Sequence, residues 1–398
     1  MRFSLDLLGT FSRPNTQSRI FLCALALATV ITISWGRLHA APEDGAPAPK
    51  PAITVVLNFD KAFLKSDVRF LGFADQQTAL FVIEKQNTTH QGEIIRWDIP
   101  TSKVTSSLPL SPWISAFSLR LSPDGKYLAS VNVPSAKQFD NVKVYRVSVF
   151  NSSNFTSAAT YEVAEKEDCA GVLFVPGEQD KVVLKMRSLI PFEDTYTYGK
   201  NRLDTFDIKT QKIVRTVSYS PGFEVDRIVP SSDGKSWLML YYSFFFNNFG
   251  EAGLDEEQDR GSVIDVINPN TGKIEWHITS TNKLSVGDPV IPFSPQEFVS
   301  SASIFNRASR TSRPWAVSKL RPSPSSPISE VPGKPQFIVI ETKTGIKIRN
   351  WVKGKDIKSW QLKGKTGRTF FSPNLKTIGY KQGQQISFFN FDPTLLKP

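Results

Sequence analysis

The sequence predicts an all-β chain built from repeated four-stranded units, and three observations predict it. A turn between two short strands recurs in LSPDGKYLASV (121–131), VPSSDGKSWLML (229–240) and FFSPNLKTIGY (370–380). Each is followed by a strand that ends in a second polar turn: VYRVSVFNSSN (144–154), VIDVINPNTGKIEWHI (263–278) and ISFFNFDP (386–393). The rest of the chain is short runs rich in Val, Ile, Phe, Tyr and Trp, bounded by Gly, Pro, Asn, Asp and Ser, with no long amphipathic helical period. Self-similarity at this scale means a stacked or circular array.

The first forty residues stand outside that array. Arg2, Arg13 and Arg19 precede an apolar run, Ile20 to Trp35, of signal-peptide length. Leu38-His39-Ala40 ends on a small residue, so a signal peptide over 1–40 is expected, with an uncleaved signal anchor as the alternative. The run falls short of the ~20 apolar residues of a membrane span, so no span is expected after cleavage. Cys23 opens the apolar run and is no lipidation site. Residues 41–52 (APEDGAPAPKPA) form a Pro/Ala-rich linker that cannot offset the entropy of ordering. The repeat domain is 53–398, and the expected location is secreted or periplasmic.

Aligned by their turns, the units run as follows. The first has strands at 68–73, 79–83, 93–99 and 103–108, the second at 117–122, 127–133, 142–150 and 157–163. The third has 171–175, 181–186, 202–208 and 212–219, the fourth 226–230, 237–243, 262–267 and 273–278. The fifth joins 290–294 and 298–304 to 336–341 and 347–352, and the sixth has only 368–372, 376–380 and 385–391. The sixth lacks a fourth strand, and ITVVLNF (53–59) is left over at the N-terminus. Pairing that spare strand onto the last unit closes a ring and removes exposed edges, which favours a β-propeller over an open solenoid. Six blades are expected. A further blade hidden in 279–335 would make seven, and would largely abolish the long basic loop there.

SPDGKYLAS (122–130) followed by VKVYRVSVF (142–150) resembles the WD40-like propeller repeats of exported bacterial proteins. VIDVINPNTGKIEWHI resembles the repeats of quinoprotein-type propellers, in which a Thr-Gly-Lys turn precedes a Trp-bearing outer strand. Trp97-Asp98 reproduces the terminal Trp-Asp pair, and no Gly-His dipeptide occurs. The resemblance implies the propeller fold and leaves function open.

Blade topology sorts the connections. Those between first and second strands and between third and fourth are short and share one face. Those between second and third strands lie on the other face and grow long at 187–201, 244–261 and 305–335. Long connections tend to carry function, so this face, around the mouth of the channel, is the expected binding surface. On it, Phe244 and Phe246 are candidates to stack on a partner, against the alternative that they finish a buried strand. Asp255, Glu257 and Asp259 alternate like oxygen ligands, but Arg260 replaces the expected Gly and no bidentate Glu follows, so no metal is called for. Arg307, Arg310 and Trp315, with Arg313, Lys319 and Arg321 near by, suit an acidic protein or an anionic polymer. Their Ser/Pro-rich setting reads equally as a plain excursion.

Other chemistry is sparse. Cys169 is the one cysteine beyond the signal segment, so no internal disulfide forms and stability must come from a core. Beyond residue 40 the histidines are His90 and His277, and neither has a sequence-near ligand cluster. No G-x-S-x-G elbow is present, and Gly364-Lys365-Thr366 lacks the first glycine of a phosphate loop. Of the 48 basic and 37 acidic side chains, removing 1–40 takes four and one, leaving a net charge near +8 spread through the turns. That fits a solvated surface, and export argues against nucleic acid as a partner. The expectation is a monomeric, non-catalytic binding scaffold without cofactor. The alternative is a channel-centred enzyme, a quinoprotein-like oxidoreductase or a metal-assisted hydrolase or lactonase.

Overall fold

Every strand of the computed structural model belongs to one of seven antiparallel four-stranded sheets. The structure describes residues 53–56, 66–85, 92–111, 114, 116, 118–131, 145–192, 195–219, 223–243, 263–278, 290–292, 294–300, 303–314, 328–342, 345–362, 367–382 and 385–397. Strand β1 (Ile53–Val56) opens the chain. Blade 1 is β2 (Ser66–Phe73), β3 (Thr78–Lys85), β4 (Gly92–Asp98) and β5 (Lys103–Pro109). Blade 2 is β6 (Arg120–Leu121), β7 (Tyr127–Val131), β8 (Arg146–Asn151) and β9 (Ser157–Glu162). Blade 3 is β10 (Glu167–Leu173), β11 (Lys181–Phe192), β12 (Thr195–Asp207) and β13 (Lys212–Tyr219). Blade 4 is β14 (Phe223–Pro230), β15 (Trp237–Ser243), β16 (Val263–Ile267) and β17 (Ile274–Ile278). Blade 5 is β18 (Val290–Pro292), β19 (Glu297–Ser300), β20 (Ser303–Asn306) and β21 (Thr311–Pro314). Blade 6 is β22 (Ile328–Glu330), β23 (Phe337–Thr342), β24 (Gly345–Asn350) and β25 (Lys355–Gln361). Blade 7 is β26 (Arg368–Phe371), β27 (Thr377–Gln382) and β28 (Gln385–Asn390), with β1 as its outermost strand.

The ring therefore has seven blades, and the expectation of six is corrected. The fifth unit of the sequence reading fused the first half of blade 5 to the second half of blade 6. The strands between them are hard to see: β21 reads TSRP and is exposed throughout, and β22 is the three residues ISE. An outermost strand buries little, so it carries no apolar signature. The spare N-terminal strand does close the ring, in the register Ile53↔Phe388 and Thr54↔Ser387.

The core lies between blades, in seven clusters that fill the seven interfaces. Second strands feed two clusters at once because successive side chains point to opposite faces. In β15, Trp237, Met239 and Tyr241 pack toward blade 3, while Leu238 and Leu240 pack toward blade 5. These strands are continuous apolar runs for that reason. The seam between blades 7 and 1 is aromatic: Phe70 meets Phe370 edge-on at 4.5 Å and Phe73 at 5.4 Å. Such pairs add about 0.5–1.5 kcal/mol each beyond burial. Asn374 Nδ2 also donates to Gln76 Oε1 at 2.6 Å, tying the last first-to-second turn to the first.

The recurring turn has one internal geometry. Ser122, Ser231 and Ser372 each donate a hydroxyl to the residue two ahead, Asp124, Asp233 or Asn374, and accept from the N–H five ahead. The following residue takes positive φ: Gly125 at 76°, Gly234 at 68° and Leu375 at 61°. Gly125 has a second reason to lack a side chain, since a Cβ there would strike the carbonyl oxygens of Phe73 and Ala74 in blade 1. The third-to-fourth turns share another device. Four residues beyond Asp98, Asn151, Asp207, Asn268, Asn306 and Asn350 stand Ser102, Phe155, Gln211, Gly272, Arg310 and Gly354, all with positive φ.

Candidate binding face and central channel

First strands touch the first strands of neighbouring blades, as β2 does with β6 and β26, and β14 with β18. Fourth strands such as β5 and β21 are largely exposed. First strands therefore surround the axis.

The face carrying the second-to-third connections holds one described projection, in blade 3. Of residues 187–201, expected as a loop, 187–192 and 195–201 are strand. Pairing of β10 with β11 ends at Glu167↔Ser188, and pairing of β12 with β13 ends at Asn201↔Tyr219. The Leu189 N–H still bonds the Lys166 carbonyl at 2.8 Å, and beyond it β11 and β12 continue alone through Ile190↔Thr197, Pro191↔Tyr196 and Phe192↔Thr195. At a strand rise of about 3.4 Å, this two-stranded ribbon extends about 10 Å beyond its last bond to the rest of the blade. Ile190 is 49% exposed and lies across Gly199, where a Cβ would sit 2.6 Å from its Cδ1. The base is braced by charge-assisted hydrogen bonds. Arg202 grips Glu167 with both terminal nitrogens at 2.6 and 2.8 Å, and Arg187 Nη2 reaches Asp168 Oδ2 at 3.0 Å.

Of the residues singled out from sequence, Phe244, Phe246, Asp255, Glu257, Asp259 and Trp315 lie outside the described residues. Arg307 and Arg310 sit in the β20–β21 turn, which belongs to the short-turn face and not to a long loop. Arg307 spans a blade interface, with Nη2 on Asp233 Oδ2 at 3.1 Å and Nη1 on Ser236 Oγ at 2.5 Å. Burial alone would raise the Asp233 carboxyl; Ser231, the Lys235 N–H and Arg307 more than offset it and hold it below its ordinary value. Arg313 pairs with Glu297 at 3.2 Å within blade 5. His277, on an outer strand, places Nδ1 2.6 Å from Asp265 Oδ1, and Tyr241 donates to Asp265 Oδ2 at 2.8 Å. Cys169 is buried between blades 2 and 3, and burial pushes its thiol up to about 12, so it is chemically inert.

The channel groups escaped the sequence reading. Glu330 on β22 is half-buried, and burial pushes its carboxyl up to about 7, opposed only in part by Arg227 of β14. Burial, and after it the positive charge of Arg120 on β6, works against the protonated form of Arg69 on β2. Glu341, 3% exposed, accepts the Thr369 N–H at 2.9 Å and hydroxyl at 3.0 Å, which ties blade 6 to blade 7. The available signal was a lone charge in an otherwise apolar first strand, VRFLGF or ISEV. Among the described residues no group of three or more His, Cys, Asp or Glu is placed to hold a metal ion, and no helix is long and apolar enough to cross a membrane.

No protein family and no curated protein matches the sequence. Solved structures do match in fold. A chain of the Mitotic Checkpoint Complex aligns with 95% of this chain and 99% of its own length, at 10% identity and a TM-score of 0.50. A chain of Kuenenia stuttgartiensis Hydrazine Synthase aligns with 81% of this chain and 94% of its own, at 14% identity and a TM-score of 0.49. At these identities the likeness concerns the fold alone.

Proposed function

We propose that the chain is exported and acts as a non-catalytic scaffold, with a protein partner docking on the face that carries the second-to-third-strand connections. The observation that carries this reading is the β11–β12 ribbon. A two-stranded ribbon in water has little stability of its own. This one leaves its sheet, exposes Ile190 and offers backbone edges that no described strand uses, while its base is braced by two arginine–carboxylate pairs. Strand edges with neighbouring apolar side chains are a common way to capture an extended segment of a partner. Pro191 removes one N–H from that edge, a device that limits indiscriminate pairing. The arginines before the apolar run Ile20–Trp35, and the small residue at Ala40, support export. The matched chain from a multiprotein complex is in keeping with a scaffold.

Affinity capture from the envelope fraction of the source organism tests the docking claim. The full chain is compared with a form in which 189–199 is replaced by a short Gly/Ser turn. The reading expects a partner held by the first and lost by the second, with both equally folded. Identical partner sets contradict it. Intact mass of the native protein tests export, and a species beginning at Ala41 is expected.

A further inference from the structure

We infer that the short-turn face of blades 6 and 7 docks on a bilayer surface rich in anionic phospholipid. The charge of this chain is unevenly placed. Turn residues 331–336, 350–355, 372–377 and 391–397 carry five lysines (Lys334, Lys353, Lys355, Lys376 and Lys397) against one acid, Asp392. The corresponding turns of blades 1–3, residues 74–77, 98–103, 122–127, 151–156, 175–181 and 207–212, carry five lysines against six acids. Asp356, just beyond the blade 6 turn, is already held by Lys347 and Arg349. Lys353, Lys355, Lys376 and Lys397 are exposed, and no described carboxylate stands within ion-pair distance of them.

Apolar side chains stand in the same turns. Val352 is 59% exposed and Leu395 42%, and each follows or precedes a buried residue that roots it. Trp351 packs between blades 5 and 6 and donates its indole N–H to the Pro335 carbonyl at 2.7 Å. Leu396 packs between blades 6 and 7 with Trp360, Leu375 and Phe391. Its turn, Pro393–Leu396, takes the place of a third-to-fourth turn in blade 7, and the Asp392 carboxylate caps it on the Thr394 N–H at 2.9 Å. Val352 and Leu395 are thus held outward on neighbouring blades. Aliphatic tips among cations match the headgroup boundary of a bilayer, which takes up apolar side chains and attracts positive charge. All five cations are lysines, whose compact charges suit a diffuse field; a partner with discrete carboxylates favours the arginine fork. Chain direction agrees with this. Ile53 pairs with Phe388 and Val56 with Gln385, so β1 starts at the end of β28 that leads to Pro393–Leu396. The chain therefore enters the ring on this face, downstream of the apolar run Ile20–Trp35 expected to bring it to the membrane. The inference is independent of the ribbon, which leaves blade 3 from the opposite face.

Vesicle titration of the full chain tests it, with the native cysteines removed and an environment-sensitive dye attached at Leu395→Cys. The vesicles are phosphatidylcholine alone, or phosphatidylcholine with an equal part of phosphatidylglycerol. The dye should shift to the blue with the anionic vesicles only, and high salt should reverse the shift. An uncleaved apolar run would carry the chain to both kinds of vesicle, yet the dye would still respond to one. Lys353→Gln, Lys355→Gln and Lys397→Gln should each weaken the anionic response about fivefold, the worth of one lysine at such a surface. Lys212→Gln, exposed on the outermost strand of blade 3, should leave it unchanged. A dye that responds equally to both vesicles, or to neither, overturns the inference. So does a response undiminished in the three lysine variants, or weakened as much by Lys212→Gln. A response to soluble polyglutamate without one to vesicles assigns the face to an acidic polymer and likewise overturns it.

Discussion

Replacing Glu330 by Gln removes the carboxyl that the channel most disfavours, and the consequence depends on pH in a defined direction. Its ordinary value is 4.5, and in the folded ring burial pushes it up to about 7. A carboxyl raised on folding supports the fold when protonated. That support is complete below pH 4.5 and is lost as pH rises through 7. At 1.36 kcal/mol per pH unit, the whole interval is worth at most about 3 kcal/mol, and water in the channel lowers this to about 2. The attraction of Arg227 is already contained in that value, because it acts against the rise. Urea unfolding of wild type and Glu330→Gln at pH 5 and pH 8 is the assay. The variant should be more stable by about 0.5 kcal/mol at pH 5 and by about 2 kcal/mol at pH 8. A difference that does not change with pH, or a variant less stable at pH 8, would refute the desolvation of Glu330. In the latter case the attraction of Arg227 would outweigh desolvation.

Three further outcomes follow from the geometry. Gly125→Ala and Gly234→Ala both force alanine to positive φ, at about 1–2 kcal/mol, but only the first meets blade 1 backbone; it should cost at least about 1 kcal/mol more in urea unfolding, and equal losses would contradict the turn packing. Arg307→Ala should destabilise by about 1–3 kcal/mol, and in a double-mutant cycle with Asp233→Asn the two losses should not add, since they break one contact. The Cys169 thiol should resist Ellman's reagent at pH 8 in the native protein and react on unfolding; reaction in the folded state would place it outside the blade 2/3 core.

What was legible in the sequence was whatever local chemistry dictates. Ser122, Asp124 and Gly125 make the same hydrogen bonds as their counterparts in blades 4 and 7, so one turn announced the others. Counting strands between turns exposed the missing strand of the last blade and its N-terminal replacement. The blade 5/6 boundary was illegible because the outermost strand TSRP buries nothing and β22 has three residues. The second turn motif was obscured because Ser102, Phe155, Gln211 and Arg310 take a conformation usually signalled by glycine. Arg307 read as part of a basic loop, yet it clamps two blades, since a chain of letters does not show which carboxylate lies across an interface. The channel charges failed to stand out for the same reason. Arg69 and Glu330 acquire meaning only when first strands from separate blades converge on one axis.

All of these placements rest on closure of a seven-bladed ring by β1, and one cross-link tests that most directly. Thr54 and Ser387 face each other across β1 and β28. In a chain lacking its native cysteines, Thr54→Cys combined with Ser387→Cys should oxidise to a link between these positions, seen as one disulfide-bridged pair of tryptic peptides. Thr54→Cys with Thr160→Cys, on the outermost strand of blade 2, should give none. A folded double variant with no link between positions 54 and 387 would contradict the closed ring.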